Sequence, residues 1–225
     1  MLSRVRPFAS GVVGQASLIA QGKRISFSRF AIGASLFKLL VFVVSLLPFF
    51  YLVQALLTNN LGANPIEALT DYTGTITIRF LLVSLSLTPL RWLLKKTWPL
   101  RLRRMLGLYT FFYASVHFLI YALLDQQLDL AAIGADIAER PYVLAGTTAL
   151  LLLLPLAFTS TRGWVRRLGK RWQLLHRGVY LAATAAVVHY VWLAKGDLIE
   201  PFVYLAVLFV LLAWRLLQLV KTNTR

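Results

Sequence analysis

The sequence predicts an all-α membrane protein, a bundle of six transmembrane helices with both termini in the cytoplasm. Composition indicates this class first, because 59% of the 225 residues are hydrophobic, 14% are charged and the mean hydropathy is +0.71. A soluble domain is about 45–50% apolar and about 25% charged. The second observation is a series of apolar runs near the ~20 residues that a spanning helix needs. They lack the alternation of polar and apolar residues that is typical of barrel strands.

Six runs are predicted to span the membrane, namely 32–57, 75–94, 105–124, 142–158, 173–194 and 199–220. Residues 1–30 are predicted to be a basic cytoplasmic extension, and residues 31–225 form the predicted transmembrane domain. Pro48 and Pro155 fall within spans, where neighbouring helices or Ser and Thr side chains can satisfy the freed backbone groups.

Charge sets the predicted topology. The basic residues concentrate in the N-terminal extension, in 91–104 and in 162–171, which places these segments on the cytoplasmic side. All eight acidic residues fall in or beside the predicted loops of the other side. The formal net charge of +16 is therefore explained by membrane topology and does not indicate nucleic-acid binding. The six tryptophans lie near span ends and are interpreted as interfacial anchors.

The three histidines all lie in apolar runs: His117 in the third, and His176 and His189 in the fifth. An ionisable residue inside a membrane is a functional candidate by default. The third and fifth spans are predicted to be parallel. His117 then lies about 12 Å and His189 about 9 Å from the non-cytoplasmic end, a common level at which they could ligate one iron from opposite sides. His176 is about 20 Å away along its helix and about 140° around it, without a histidine partner.

Several kinds of chemistry suit these histidines. Zinc and copper sites generally need several convergent His, Cys or carboxylate ligands, but the chain has no cysteine and its carboxylates lie in or beside the predicted loops. Haem needs one or two axial nitrogens and an apolar slot, so we favour it. Hydrogen bonds from structural histidines to neighbouring helices are the alternative.

Secondary candidates surround the histidines. Arg79, Arg140 and Arg177 are interpreted as capping or snorkelling residues, with pairing to haem propionates as the alternative. Three glycines are expected to allow close helix packing or to leave room for a porphyrin face: Gly107, Gly146 and Gly178.

A family resemblance covers about residues 33–220. The stretches that carry it are LGANPIEALTDYTG, TIRFLLVSLSLTPLR, RLRRMLGLY, SVHFLIYALL, RPYVLAG, LAFTSTRG, LGKRWQLLHRGVYLA and VVHYVW. In this order they resemble the MsrQ family, the haem-binding membrane subunits of bacterial periplasmic protein-methionine-sulfoxide reductase systems. That family belongs to the ferric-reductase-like transmembrane group. The extension departs from the family's usual length, and the resemblance assigns nothing to it.

The resemblance implies a multi-pass protein of the bacterial inner membrane that carries electrons through b-type haem and is itself a non-catalytic subunit. It implies electrons from the quinone pool and, as heterodimer partner, a periplasmic molybdopterin-dependent reductase that repairs oxidised methionines. It also implies that His117, His176 and His189 are axial ligands of haem iron, and that FMN is bound, without assigning residues to it. Two alternatives remain open: a standalone ferric or quinone reductase, and a non-redox helical membrane protein with structural histidines.

Overall fold

The computed structural model describes residues 35–194 and 198–223. The predicted extension 1–30 therefore lies outside the described residues, as do Lys195, Asp197 and Arg225. The elements that carry the three histidines all belong to one compact unit that begins at Pro48.

The described residues fold into helices without a strand. The helices are α1 (Ser35–Leu57), α2 (Pro65–Leu94), α3 (Trp98–Ile120), α4 (Leu130–Glu139), α5 (Pro141–Phe158), α6 (Arg162–Leu168), α7 (Lys170–His176), α8 (Gly178–Leu193) and α9 (Ile199–Asn223). A π-helical turn over Tyr121–Asp125 continues α3. Such turns are rare and are frequently found at functional sites.

Within the described ranges, five helices are long and apolar enough to cross a membrane: α1, α2, α3 with its π turn, α5 and α9. The predicted fifth span, 173–194, is instead divided between α7 and α8 at Arg177. The Arg177 amide donates to the carbonyls of both Gln173 and Leu174, and the Tyr180 amide donates to the Arg177 carbonyl. This tight turn interrupts the regular helix and leaves α8 with 16 residues.

Helix α2 begins ten residues earlier than the predicted span, at Pro65. The side-chain oxygen of Asn64 accepts from the Glu67 amide at 3.4 Å, and its amide group donates to the Glu67 carboxylate at 2.9 Å. Proline at the first helical position favours the same start. Glu67 and Asp71 therefore lie on the first turns of α2, and their predicted placement in a loop was wrong.

Helix α8 packs against α2, α3, α5 and α9, because its small side chains allow neighbouring backbones to approach closely. Ala183 and Val187, both fully buried, lie in one apolar cluster with α2 and α9 residues, and Ala182 lies in a second cluster with Ala114 of α3 and Leu153 of α5. The most extensive helix pairs are α2 with α3 and α5 with α8. Each of these two pairs carries one of the paired histidines described below.

Candidate functional site at a pair of histidines

His117 of α3 and His189 of α8 face each other. Their ring centroids lie 6.2 Å apart, and the ring planes are inclined by 79°. The prediction that the two histidines share one level is confirmed. The two histidines are 72 positions apart in the sequence, so only the tertiary fold brings them together.

Each ring is held by a backbone carbonyl of the neighbouring helix. Nδ1 of His117 donates to the Thr70 carbonyl of α2 at 3.0 Å, and Nδ1 of His189 donates to the Tyr142 carbonyl of α5 at 2.6 Å. Because a carbonyl can only accept, Nδ1 carries the proton in both rings. Nε2 is then the unprotonated nitrogen that is available to a metal. This arrangement is the usual one for a metal-binding histidine, whose second nitrogen is fixed by a hydrogen bond.

Two glycines lie against the imidazoles. A Cβ atom at Gly74 of α2 would lie 3.1 Å from Cε1 of His117, and one at Gly146 of α5 would lie 2.8 Å from Nδ1 of His189. The interpretation of Gly146 as a close-packing glycine is therefore confirmed, and the ring of His189 is what it accommodates. Gly74 was not predicted. Gly107 and Gly178 have no neighbour closer than ordinary van der Waals contact.

A cavity of about 300 Å³, here called the histidine cavity, opens beside the pair. Its wall is mainly apolar and includes Ile78, Leu81, Ala114, Val143, Ala149, Leu150, Leu153 and Ala186. Its polar lining includes the carboxylates Asp71, Asp125 and Asp136 and the guanidinium of Arg140. An apolar cavity with two convergent imidazoles and a few charged groups has the character of a cofactor site.

Arg140 belongs to a small polar network beside this cavity. It pairs with Asp136 at 3.3 Å and donates to the Tyr142 hydroxyl at 3.4 Å, while the Tyr121 hydroxyl donates to Asp136 at 3.0 Å. The interaction with Tyr142, mainly its hydrogen bond, raises the pKa of Arg140 above its ordinary value, and the charge of Asp136 adds to this effect. Arg140 is therefore a permanent cation next to the histidine cavity.

Arg79 has a protein partner of its own. It pairs with Glu200 of α9 at 3.0 Å and donates to the Tyr204 hydroxyl at 2.8 Å. The structure thus assigns Arg79 to a contact between α2 and α9, which neither capping nor snorkelling had suggested.

His176 lies apart from the pair. Its ring stacks on Trp172 with centroids 3.9 Å apart, and its Nδ1 donates to the Trp172 carbonyl at 3.1 Å. Its Nε2 is buried, and no hydrogen-bond partner for it occurs among the described residues. Trp172 is also more than an interfacial anchor, because it packs on His176 and, together with His176, lines a second cavity.

That second cavity, of about 430 Å³, is here called the arginine cavity. Besides His176 it is lined by Arg103 and Arg104 of α3, Arg177 between α7 and α8, and Arg215 of α9. No carboxylate contributes to its described lining. Leu81 and Leu153 line both cavities and therefore lie between them. Arg215 was missed, although it lies inside the predicted span 199–220, where an ionisable residue is a functional candidate by default.

Residues 73–187 match the family model described as ferric reductase like transmembrane component. The chain is 48% identical over 191 residues to the protein-methionine-sulfoxide reductase heme-binding subunit MsrQ of Azospira oryzae, covering 84% of this chain and 82% of that protein. The chain belongs to the MsrQ family.

Other MsrQ proteins match to a similar extent. The chain is 51% identical over 185 residues to MsrQ of Rhodospirillum rubrum, covering 82% of this chain and 89% of that protein. It is 48% identical over 181 residues to MsrQ of Ralstonia nicotianae, covering 79% and 83%. No solved structure matches the chain. The resemblance to MsrQ is confirmed, and family membership together with the apolar helices makes the chain a multi-pass membrane protein.

Proposed function

We propose that this chain is a membrane electron-transfer subunit in which His117 and His189 hold one b-type haem as axial ligands. The single observation that carries the proposal is the facing pair of imidazoles, each with Nδ1 fixed by a carbonyl and Nε2 free. The relatives' name, heme-binding subunit, supports the same reading.

The residues present fit such a group. An imidazole nitrogen lies about 2 Å from a bound first-row metal ion and about 1 Å from its own ring centre, so two axial imidazoles place their ring centres about 6 Å apart. The ring centroids here lie 6.2 Å apart. Among the described residues no group of three or more His, Cys, Asp or Glu converges on a metal site. A porphyrin supplies four further nitrogens, so two histidines suffice for haem where they would not suffice for zinc or copper.

Haem held by His117 and His189 would supply one-electron transfer and would leave no iron position free for oxygen. The chain's contribution is to fix the imidazoles and to exclude water. The Thr70 and Tyr142 carbonyls orient the rings. The apolar wall of the histidine cavity provides the dry surroundings, and Arg140 supplies a cation that suits a propionate.

We further propose six spans with both termini in the cytoplasm of a bacterium, the protein lying in the inner membrane. In this topology α7 and α8 cross together, because residues 170–193 are about 36 Å long at the helical rise. The arginine cavity then lies on the cytoplasmic side, with the basic segments around it. The histidine cavity and its carboxylates lie on the periplasmic side, where the electrons pass to a methionine sulfoxide reductase subunit, proposed to be molybdopterin-dependent.

The arginine cavity is proposed as the point where electrons enter from the quinone pool. His176 is retained as a candidate axial ligand for a second haem, which would have one histidine, because the cavity's described lining offers no other imidazole and no thioether. A quinone in the same place would use Nε2 of His176 and a guanidinium as hydrogen-bond partners. Haem per chain distinguishes the two: two haems support ligation by His176, and one haem with bound quinone supports the quinone site. FMN stays a prediction, which flavin analysis of the same sample tests.

Absorption spectroscopy of protein purified from haem-replete cells tests the proposal. We expect a Soret band and a reduced α band of b-type haem, both diminished in His117→Ala and in His189→Ala, while His176→Ala retains the haem of the histidine pair. A folded, colourless wild-type protein would support the non-redox alternative. A haem protein that reduces ferric iron or quinone, but passes no electrons to a periplasmic methionine sulfoxide reductase, would support the standalone alternative.

A further inference from the structure

We propose that Gly74 and Gly146 are positioning residues for the histidine pair, each leaving the space in which one imidazole packs against the neighbouring helix. The inference rests on the proposed haem ligation and adds two residues that do not touch the metal. It is carried by the distances from the two glycines to the rings and by a spacing that occurs twice in the chain.

The two histidines are built into the fold in the same way. Each histidine contacts the carbonyl of a residue that lies 47 positions before it in the sequence. This residue is Thr70 for His117 and Tyr142 for His189. Each also follows its glycine by 43 positions. The helix pair α2–α3 and the helix pair α5–α8 thus present the same unit, offset by 72 residues.

Helix geometry explains why the glycine comes four residues after the carbonyl. In an α-helix the carbonyl of residue i accepts from the amide of residue i+4, and its second lone pair remains for the imidazole. The Cβ atom of residue i+4 leans toward the helix N-terminus, and therefore toward that carbonyl. A ring that donates to the carbonyl occupies the volume into which this Cβ would project. Only glycine leaves that volume empty.

The distances show that an added Cβ would disturb the imidazole more at Gly146 than at Gly74. At Gly146 the added Cβ would lie 2.8 Å from Nδ1 of His189, the atom that donates to Tyr142, and 3.0 Å from Cε1. At Gly74 it would lie 3.1 Å from Cε1 and 3.4 Å from Nδ1 of His117. Alanine at 146 must therefore displace the ring and its hydrogen bond, whereas alanine at 74 requires a smaller shift. Both changes alter the direction of Nε2.

The test compares Gly146→Ala and Gly74→Ala with two matched controls, Gly178→Ala and Gly134→Ala. A Cβ at Gly178 would meet only Cδ1 of Leu156 at 3.9 Å, and one at Gly134 would meet nothing within 4 Å. All four variants gain helix propensity, so none is expected to unfold through its backbone. The readouts are the rate of haem loss to a scavenging globin, the midpoint potential and the low-spin ferric resonance spectrum.

We expect haem loss to be about 10–100-fold faster in Gly146→Ala, the usual loss in affinity when a group that orients a metal ligand is removed. Gly74→Ala should show a smaller effect, with a shifted spectrum and potential, and both controls should stay within about twofold of wild type. If Gly146→Ala does not yield folded protein, Gly74→Ala decides alone. Wild-type values in the folded variants would overturn the assignment of the glycines while leaving the haem ligands in place. A wild-type protein without a b-type spectrum would instead remove the proposed function.

Discussion

Glu200, in the first turn of α9, connects three helices through its carboxylate. It accepts from Arg79 of α2 at 3.0 Å, from Tyr204 of its own helix at 2.7 Å and from Tyr190 of α8 at 3.2 Å. Tyr190 follows His189 directly and lines the histidine cavity. The contact therefore supports the wall of the cavity from the side of α9.

Glu200→Gln removes the charge and one of two equivalent acceptor oxygens while preserving the shape of the side chain. The ion pair with Arg79 contributes at most about 1 kcal/mol, because the two side chains are 55% and 45% exposed. A hydrogen bond to a charged group contributes about 1.5–3 kcal/mol, and glutamine retains part of the bonding to the two phenols. We expect a net loss of about 2 kcal/mol, which for a chain of this size lowers the midpoint of thermal unfolding by about 4–8 °C.

The assay measures how much folded protein remains in detergent after heating. Folded protein is quantified by size-exclusion chromatography, with the Soret band and tryptophan fluorescence recorded together. Glu139→Gln is the matched control, since it makes the same charge change at an exposed residue of α4 for which no side-chain contact is found. A midpoint for Glu200→Gln equal to that of Glu139→Gln would refute the reasoning.

Three further predictions concern the two cavities. His176→Ala should keep the spectrum of the paired-histidine haem. Reduction of this haem by a quinol analogue should be slower by about tenfold or more, because the quinol loses one hydrogen-bond partner. Equal loss of all haem would contradict this prediction. Tyr142→Phe should leave haem content within about twofold of wild type, because His189 donates to the carbonyl and not to the hydroxyl of Tyr142. A colourless variant would contradict that assignment. Arg215→Gln should slow reduction by the quinol about tenfold relative to the exposed control Arg101→Gln, and identical rates would remove Arg215 from the site.

The level of the histidines could be predicted from the sequence because it depends on few quantities. Counting residues from the charged span ends, at a fixed helical rise, placed His117 and His189 together and His176 apart. The same count could not place α2, since its start depends on the side-chain contacts of Asn64 with Glu67 and not on hydropathy. It also did not reveal the turn at Arg177, where no proline marks the interruption.

The surroundings of the histidines depend on tertiary packing and were mostly missed. Gly74 is in contact with His117 only because α3 packs on α2 in the folded chain. The 43-residue spacing from glycine to histidine, which Gly74 shares with Gly146, is nevertheless visible in the sequence. Arg103 was interpreted as a loop residue that defines topology, and Arg215 received no role. The fold brings both to one cavity with His176, a convergence from separate helices that no local pattern reports.

The electron paramagnetic resonance spectrum of the oxidised protein tests the paired-histidine haem most directly. Imidazole planes inclined by 79° predict a low-spin ferric signal of the strongly anisotropic type that nearly perpendicular axial imidazoles produce. The signal should disappear in His117→Ala and in His189→Ala and persist in His176→Ala. A wild-type protein without a low-spin signal, or a low-spin signal that survives in both His117→Ala and His189→Ala, would contradict ligation by this pair.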